Sequence, residues 1–515
     1  MNFESLRDKC ANCSIEKIFG VIFLAGLFLR VIVPNLKLLH HDEAIHAWFS
    51  YELITKGVYQ YDPMYHGPLL YYLTAGFFRI FGDNDLVVRL LPALFGTAII
   101  ILIYGIHRTG WLSRNQAIWS AIFFAVSPNM VYFSRFLRHD IFQLFFTVLL
   151  LLSILAYLEY KKPGWALLAG FSAACGMSLK EEMPLVVFLF GLFFLVLILK
   201  NRIQIPSSWK RDILGAIVIA GLTGFFLYSS FLSHPEMFFE APFKAIEHWS
   251  SMHDQCRLCG PPYWYLAMVI LYELPLAVLA VYATWQWGWK DKGFSHVLHP
   301  DHFFDGPSEN LKQHYMMGLM LIWAVISMSF YGYVGEKVPW LLIHQLIPIL
   351  VLAAYGISGR KTGAAIIAVV LLVGMTMHVC FTPVDINEPI VQVQNSEDMR
   401  EVMQLIDVSE KVVVTSDSYW PLPWYYRGGK WDKILFYGKK VDPVIWFGDN
   451  PDLIIAHDID SYSSLEGFEK KQYHLSYWFS WYDNYSRPLQ WFLLRDGKMG
   501  TVNLDVFVRE NLTTF

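Results

Sequence analysis

The sequence predicts an all-α, multi-pass membrane protein with a smaller α/β domain at its carboxyl end. Hydrophobic residues make up 55% of the 515-residue chain and charged residues only 16%, whereas soluble proteins carry about 25% charged residues. Apolar runs of near membrane-spanning length recur as far as Phe381. Beyond Pro383 the pattern changes to short alternating runs, which are typical of strands. The predicted division is therefore a membrane domain, residues 1–382, and an α/β domain, residues 383–515.

About eleven apolar segments are candidate transmembrane helices, because each approaches the ~20 residues that a helix needs to cross a bilayer. They lie near Ile18–Pro34, Leu86–Ile106, Ala117–Tyr132, Ile141–Tyr157, Trp165–Leu179, Pro184–Leu199, Ile213–Phe231, Tyr263–Trp287, Tyr315–Tyr333, Val338–Tyr355 and Ala364–Phe381. A further apolar segment, Leu69–Phe81, is too short to cross and predicts a helix that lies in the membrane interface.

Lysine and arginine set the predicted orientation. With the N-terminus in the cytoplasm, the cytoplasmic tail and loops carry more of these residues than the opposite loops, as the positive-inside rule requires. An odd number of spans then puts the carboxyl-terminal domain outside the cytoplasm. In that domain Lys411–Thr415, Asp452–Ala456 and Gln490–Arg495 predict strands, and Asn395–Asp407 predicts an amphipathic helix.

Ionisable residues gather in the loops predicted on the outer face. A loop carboxylate taken singly is more often solvated than catalytic, and Arg89, inside an apolar run, could simply extend to the interface. The pair Asp42-Glu43, however, follows a predicted span closely, and Asp140 stands at the start of another, so the helix ends would hold these positions. This concentration indicates a functional site. Its members are His41, Asp42, Glu43, His46 and His66 in the first loop (residues 35–85), Arg135, Arg138, His139 and Asp140 in the second, Lys180, Glu181 and Glu182 in the third, and Lys337 in the fifth.

These residue types suit transfer to a hydroxyl group beside a phosphate. A carboxylate next to imidazoles can deprotonate an acceptor hydroxyl, and arginine and lysine can bind a phosphate that leaves with growing negative charge. The members His41, Glu43, His46 and Asp140 could also hold a divalent metal ion, although no spacing matches a fixed zinc motif. The sequence has no glycine-rich phosphate loop, so no nucleotide cofactor is expected. The net charge of −4 gives no sign of a nucleic-acid partner.

The six cysteines are too few for a disulfide scaffold. Two C-x-x-C pairs, Cys10/Cys13 and Cys256/Cys259, are predicted on opposite faces of the membrane and so cannot share one zinc ion. The outer pair suits a disulfide, half of an intermolecular metal site, or two plain thiols. Cys175 and Cys380 lie in apolar runs and predict packing residues.

The order of the motifs resembles a known superfamily. The motifs are Asp42-Glu43, the run Tyr65–Tyr72, the run Gly82–Pro92, Ser134-Arg135 with Asp140, Gly176 with Lys180, and Lys337-Val-Pro339. Together they resemble the GT-C glycosyltransferases, in the branch of protein O-mannosyltransferases and ArnT-like enzymes. The opening His40–His46 and the segment Glu336–Trp340 are most similar to the archaeal flippase-activity-associated group. The resemblance covers roughly Ile18 to Phe381.

The resemblance implies an inverting transfer of a sugar from a polyprenyl- or dolichyl-phosphate donor on the outer membrane face. It implies Asp42 as the general base and Glu43 as a support for it or for a metal ion. The donor phosphate would be surrounded by Arg89, Arg135, Arg138, His139, Asp140, Lys180 and Lys337. Glu181 is grouped with these as a substrate-binding residue. The implied partners are the lipid-linked sugar, membrane lipids and an acceptor, which could be a protein, a lipid or a glycan.

One departure from the family pattern leaves alternatives open. Where related enzymes often have acid-Lys-Pro or Lys-Pro-Pro, this chain reads His66-Gly67-Pro68, so His66 would stand in for the lysine. A flippase or transporter of lipid-linked sugars is a second hypothesis, although transporters usually show repeated halves and charges near the midplane. A non-catalytic assembly subunit with the GT-C fold is a third. An oligosaccharyltransferase is a fourth, because Trp481–Tyr485 loosely resembles the signature of that class.

Overall fold

The computed structural model describes residues 14–57, 59–255, 260–290 and 311–510, with the side chains of residues 253–255 also left aside. The chain forms two compact units. The first contains the chain up to Ile32, Lys56–Gly82 and Arg89–Cys380, and the second contains Val33–Thr55, Asp83–Val88 and Phe381–Phe515. Both predicted C-x-x-C pairs lie outside the described residues, whereas Cys175 and Cys380 are buried thiols, as predicted.

Helices occupy nearly all of the described membrane part. In chain order they are α1 Ile15–Val31, α2 His41–Lys56, α3 Leu69–Phe81, α4 Asp85–Arg108, α5 Arg114–Val126, α6 Pro128–Phe133, α7 His139–Tyr160, α8 Pro163–Met177, α9 Met183–Leu199, α10 Trp209–Tyr228, α11 Met237–Gln255, α12 Trp264–Trp285, α13 Leu311–Tyr333, α14 Leu342–Ala353 and α15 Lys361–Phe381. All of α2 except its last residue, together with the first residues of α4, belongs to the second unit.

Six helices of the described residues are long and apolar enough to cross a membrane: α4, α7, α10, α12 continued to Lys290, α13 and α15. A helix also lies in each of the other predicted segments, but those helices are shorter. The protein is thus a mostly helical membrane protein, and the count of about eleven spans stays a prediction. The short helix predicted at Leu69–Phe81 is confirmed as a helix, and one side of it is buried.

Two interruptions break the helical pattern of the first unit. The predicted segment Ala117–Tyr132 is divided between α5 and α6 at Ser127, because the following Pro128 has no N–H to continue the helix. The Ser127 side chain instead accepts a hydrogen bond from the Met130 N–H, as an N-cap does. In α12 the backbone leaves the helical region at Glu273, two residues before Pro275. Both interruptions lie between residues that are buried.

The second unit is built on a six-stranded mixed sheet with strand order β1-β5-β6-β4-β2-β3. Its strands are β1 Gln394–Asn395, β2 Val412–Thr415, β3 Ile434–Phe436, β4 Leu453–His457, β5 Phe468–Phe479 and β6 Met499–Arg509, and its helices are α16 Met399–Val408, α17 Leu422–Tyr425, α18 Pro443–Phe447, α19 Trp481–Asn484 and α20 Pro488–Leu494. Strand β2 runs parallel to β3 and β4, and β5 and β6 form a long antiparallel hairpin. Both faces of β2 are buried, as expected of a central parallel strand.

The predicted strands at Lys411–Thr415 and Asp452–Ala456 are confirmed, as is the amphipathic helix. The strand predicted at Gln490–Arg495 is wrong, because these residues belong to α20 and the turn after it. Pro488 at the first helical position favours a helix start there.

Part of the predicted first outer loop belongs to the second unit. The N–H groups of Leu38 and Leu39 donate to the Glu397 carboxylate and the Tyr425 hydroxyl, each at 3.1 Å. The amide of Asn395 donates to the Leu39 carbonyl at 2.6 Å. These bonds join residues 38 and 39 to later residues of the second unit. Residues 41–56 form a helix where a loop was predicted, and the division at residue 382 stays a prediction.

Candidate functional site

A buried carboxylate at the start of α7 is the centre of the polar cluster in the first unit. Asp140 is 1% exposed and lies in the first turn of α7, where the helix dipole favours a negative charge. Its Oδ1 atom lies 2.5 Å from the Lys180 Nζ, and its Oδ2 atom lies 3.2 Å from the Arg138 Nε. The guanidinium of Arg138 also covers the Trp340 ring at 3.7 Å. One carboxylate thus holds two cations in fixed positions.

The cluster continues through His344 to a second carboxylate. The His344 Nε2 lies 3.5 Å from Asp140 Oδ1 and 3.0 Å from Glu182 Oε1. The Tyr331 hydroxyl donates to the other oxygen of Glu182. Glu182, Tyr331 and His344 line a small cavity of about 30 Å³, whose remaining walls include Leu185, Leu189, Trp323 and Ile326. Charged groups therefore lie beside apolar side chains of the helices, and such surroundings suit a ligand with an anionic head and an apolar tail.

The segment His66-Gly67-Pro68, where the sequence departs from the family pattern, packs on the residues just before α9. The His66 Nδ1 lies 3.0 Å from the Glu181 carboxylate, and the imidazole stacks on the Trp249 ring with centroids 5.0 Å apart. The His139 Nε2 hydrogen-bonds to the Gly67 carbonyl oxygen at 3.2 Å. Among the predicted residues, the structure therefore brings together His66, Arg138, His139, Asp140, Lys180 and Glu181.

Gly67 is required by a close approach of two backbone segments. Its N–H donates to the Leu179 carbonyl at 3.1 Å, and a Cβ atom at this position would overlap the carbonyl of Ser178. A methyl group here would push the two segments apart, because the three atoms that it would contact all belong to the backbone of Ser178 and Leu179.

We expect Gly67→Ala to lower the free energy of unfolding by about 1–3 kcal/mol, the usual cost of forcing a methyl group into a packed site. Thermal unfolding of the purified protein in detergent measures the effect. Gly76→Ala in α3 is the matched control, because its Cβ would meet nothing within 4 Å, and alanine is the better helix former. Equal melting temperatures for the two variants would contradict the close approach.

The Glu181–His66 pair gives the cluster a pH dependence. Burial raises the pKa of the Glu181 carboxyl, but the interaction with His66 and the other hydrogen bonds to this carboxylate together outweigh burial, and the pKa lies below its ordinary value. The stabilisation by this carboxylate is therefore complete above about pH 4.3, the ordinary pKa of Glu. It is lost as the pH falls through the lower pKa of the folded state.

We expect Glu181→Gln to lower the melting temperature at neutral pH, and the difference from the unchanged protein to close in acid below about pH 4. Glu236→Gln is the control, because the Glu236 side chain in the His234–Glu236 pair is 53% exposed and exposed pairs contribute little. A difference for Glu181→Gln that is the same at every pH would rule out the charge as its cause.

Two predicted phosphate-binding residues serve as caps of helices. The Arg135 Nη1 donates to the carbonyls of Leu29, Arg30 and Ile32 at 3.1, 3.1 and 2.7 Å, at the end of α1. The Lys337 ammonium donates to the carbonyls of Tyr331 and Gly332 at 2.9 Å each, and to that of Val334, at the end of α13. Burial lowers the pKa of Lys337. Cations are favoured at helix C-termini, so both residues have a structural role here. Arg89 is buried on α4.

The predicted base and its neighbours lie at the start of α2, in the second unit. The Asp42 N–H donates to His40 Nδ1 at 3.0 Å, and Glu43 Oε2 accepts from the His40 N–H at 2.9 Å. This reciprocal pattern is that of a capping box, with a histidine as the N-cap residue. The Asp42 carboxylate is 22% exposed and lies 3.1 Å from His41 Nδ1, while Glu43 and His46 are buried. Asp42 therefore keeps an accessible carboxylate, and Glu43 fixes the helix start.

A metal site stays a prediction. Among the described residues, no group of three or more His, Cys, Asp and Glu side chains is arranged to hold a metal ion. Of the four predicted ligands, Glu43 caps the helix that carries His41 and His46, and Asp140 lies beside two cations.

Sequence reasoning did not select three residues of these networks: Trp249, His344 and Tyr331. Glu182 was included in the predicted cluster, but no role was assigned to it. His344 is a lone histidine in an otherwise apolar run, and an ionisable residue in such a run is a signal that could have found it. The contacts of Trp249 and Tyr331 depend on tertiary packing, which no local pattern predicts.

Comparisons with known proteins agree with the motifs. Residues 65–228 match the family model described as dolichyl-phosphate-mannose-protein mannosyltransferase. The chain is 24% identical over 354 residues to undecaprenyl phosphate-alpha-4-amino-4-deoxy-L-arabinose arabinosyl transferase 2 of Pseudomonas fluorescens, which covers 65% of this chain and 55% of that relative. The chain thus spans about half the length of the curated relatives it matches, 55% in each case.

Two solved structures share the fold. The crystal structure of ArnT from Cupriavidus metallidurans bound to undecaprenyl phosphate gives a TM-score of 0.56 at 14% identity, covering 95% of this chain and 97% of that one. The archaeal oligosaccharyltransferase AglB from Archaeoglobus fulgidus, in complex with an inhibitory peptide and a dolichol-phosphate, gives a TM-score of 0.51 at 11% identity, covering 86% and 69%. At these identities the likeness concerns the fold alone.

Proposed function

We propose that this chain, which has the GT-C glycosyltransferase fold that its motifs predicted, is a membrane glycosyltransferase. It moves a sugar from a polyprenyl- or dolichyl-phosphate donor to an acceptor. The structures that share its fold support this donor class, because one was solved with undecaprenyl phosphate and the other with a dolichol-phosphate. The finer placement in the archaeal flippase-activity-associated group stays a prediction.

The polar cluster at the start of α7 is the observation that carries the proposal. A lipid-linked sugar phosphate has an anionic head and a long apolar tail. The cations of Arg138 and Lys180 meet the head, and the apolar side chains near Glu182, Tyr331 and His344 suit the tail. When the bond between the sugar and the phosphate breaks, negative charge grows on the leaving phosphate. Lys180 and Arg138 stabilise that charge with charge-assisted hydrogen bonds.

In the proposed reaction, Asp42 removes the proton from the acceptor hydroxyl. The hydroxyl oxygen attacks the anomeric carbon from the side opposite to the phosphate, the carbon–phosphate-oxygen bond breaks, and the configuration inverts. The lipid phosphate leaves with the bonding electrons. The partly exposed carboxylate of Asp42 and the cap formed by Glu43 at the start of the same helix support these roles. The proposed orientation has a cytoplasmic N-terminus, with the carboxyl-terminal domain and the reaction on the outer face.

Transport of a lipid-linked sugar is the second candidate, and the helix interruptions favour it. Glu273 is fully buried near the middle of α12, where its Oε1 accepts hydrogen bonds from the Ser127 hydroxyl at 2.5 Å and the Asn129 N–H at 3.2 Å. Interrupted helices around a buried carboxylate occur in the substrate sites of transporters. The transferase comes first because the cluster with two cations lies at the start of α7, away from Glu273 in the chain.

The deciding experiment compares cells that lack the protein with cells that carry it unchanged or as Asp42→Asn. Mass spectrometry of envelope glycans and of lipid-linked sugars is the readout. For a transferase, both the deletion and Asp42→Asn lose one sugar from the glycan, and the lipid-phosphate sugar accumulates on the outer leaflet. Periodate, which does not cross the membrane, oxidises that sugar in intact cells.

A transporter gives a different result in the same cells. The lipid-linked sugar then accumulates on the inner leaflet in the deletion, protected from periodate, and Asp42→Asn restores the glycan. Glycans that are unchanged in the deletion would contradict both functions.

A further inference from the structure

The segment that joins β5 to β6 exposes five large apolar or aromatic side chains within thirteen residues. Leu489, Leu493 and Leu494 of α20 are 72%, 72% and 71% exposed, and Tyr482 and Tyr485 before it are 67% and 64% exposed. Leu489 and Leu493 are four residues apart and so share one face of the helix. Single exposed apolar residues are ordinary in proteins, but a contiguous group marks a contact surface. Residues 481–494 are called the apolar tip below.

The apolar tip is an ordered structure. Asn484 is buried, and its amide donates to the carbonyls of Ser480 and Lys498 at 2.7 Å each, while its oxygen accepts the Lys498 N–H at 3.0 Å. Trp491 faces inward from α20 and packs on Phe479 with ring centroids 4.6 Å apart. The side chains on the outer face are therefore held outward by a fixed frame.

The frame is tied to the chain just after the last span. The Trp491 Nε1 donates to the Asn387 carbonyl at 3.0 Å, and the Arg495 Nε lies 2.7 Å from the Glu388 carboxylate. The spanning helix α15 ends at Phe381, six residues before Asn387. Six residues extend over at most about 20 Å, so the apolar tip lies within reach of the membrane surface.

We propose that the apolar tip lies on the lipid surface of the membrane that the spans cross. Leu489, Leu493 and Leu494 enter the acyl region, and Tyr482 and Tyr485 lie at the level of the headgroups, where aromatic residues with a polar end are favoured. The short helix α20 thus acts as an interfacial anchor of the second unit, in addition to the covalent link through α15.

The same unit contains a matched surface at the opposite end of its sheet. Helix α18 exposes Val444, Ile445 and Phe447 at 82%, 59% and 58%, much like the apolar tip. The hairpin pairs Phe479 with Met499 next to the tip, whereas α18 leads into β4, whose Leu453 pairs with Val508. The nine steps between consecutive residues from Met499 to Val508 span roughly 30 Å at ~3.3 Å per residue. The proposal therefore predicts lipid contact for α20 and none for α18.

Photolabelling of the full-length protein in nanodiscs tests this difference without any substitution. The probe is phosphatidylcholine that carries a diazirine in its acyl chain, and peptide mass spectrometry locates the adducts. We expect several-fold more adduct on residues 488–494 than on residues 443–447. Equal labelling of the two helices, or no label on residues 488–494, overturns the proposal.

A second measurement distinguishes lipid from a protein neighbour. Leu493→Cys and Ile445→Cys are each labelled with a fluorophore, in nanodiscs whose lipids carry an acyl-chain nitroxide quencher. We expect strong quenching at residue 493 and little at residue 445. Unquenched fluorescence at 493, or disulfide cross-links at 493 between two copies of the chain, would instead assign the surface to a protein contact and overturn the proposal.

Discussion

Asp140→Asn is expected to lower the free energy of unfolding by about 3–5 kcal/mol, the usual cost of removing one partner from a buried ion pair, and to abolish sugar transfer. The neutral amide leaves Lys180 and Arg138 without the carboxylate that holds them at 2.5 and 3.2 Å. Both side chains are largely shielded from water, at 7% and 12% exposure, so water cannot replace the lost charge. Thermal unfolding in detergent and a transfer assay with the lipid-linked donor measure the two effects.

Asp212→Asn is the matched control, because Asp212 is also a buried carboxylate in the first turn of a spanning helix. Its neighbour Arg211 is 75% exposed, so we expect a smaller loss of stability and normal transfer per folded molecule. The double variant with Asp140→Asn and Lys180→Gln removes one unpaired cation. It should regain part of the stability without regaining transfer. A single Asp140→Asn protein with unchanged melting temperature and rate would contradict the role of the cluster.

Asp42→Asn is expected to reduce the rate of transfer by about 10²- to 10⁴-fold, the range that general-base catalysis contributes, with an unchanged melting temperature. The asparagine keeps the shape of the side chain and the backbone N–H that donates to His40, but it cannot accept a proton from the acceptor. Turnover under saturating donor and acceptor, measured beside thermal unfolding, separates chemistry from folding.

Two other variants in α2 are controls for Asp42→Asn. Glu52→Gln lies further along α2 and should transfer at the normal rate. Glu43→Gln weakens the cap at His40 and should lower the melting temperature, which Asp42→Asn does not. If Asp42→Asn transfers at the normal rate and expression level, Asp42 is not the base.

Hydropathy predicted the helices of the membrane part well, because apolar composition over about 20 residues is a strong local signal. It did not predict the division at Ser127, although the Ser-Pro pair marks a break. Helix α2 was predicted as loop because its buried and exposed residues follow no strong helical period, and its stabilising partners lie far along the chain. In the cap formed by His40 and Glu43, the acid follows the N-cap residue by three positions, as in a usual capping box. The N-cap residue, however, is a histidine instead of the usual serine or threonine.

The α/β domain was predicted only in part. Strand β2 is buried on both faces and gives a continuous apolar run, which local pattern captures. The alternation in Gln490–Arg495 covers only six residues, too few to distinguish a strand from a short helix that starts at Pro488. Strands β5 and β6 were not among the three strands predicted. The charged stretch Glu469–Lys471 of β5 has few residues that favour strands, and the pairing of β5 with β6 depends on tertiary structure.

The candidate site was also predicted only where local sequence patterns indicate it, and not where it depends on tertiary contacts. The sequence indicated Arg138, Asp140 and Lys180 through their positions at helix ends, and the structure brings them into contact. It could not show that Arg135 and Lys337 use their donors on helix carbonyls. It also could not show that His344 joins Asp140 to Glu182, because these contacts cross up to about two hundred residues of chain.

The discontinuous second unit constrains the order in which the protein can mature. Leu39 is bonded to Tyr425 across 386 residues, so the start of α2 leaves the ribosome long before its partners exist. During synthesis, which proceeds at about 5–20 residues per second, α2 must wait tens of seconds without its final packing. Asp42 therefore reaches its final position only after the carboxyl-terminal strands have been made. We expect a chain cut short before residue 425 to insert its spans yet lack a finished α2, so the helix that carries the proposed base is completed only after residue 425 has been made.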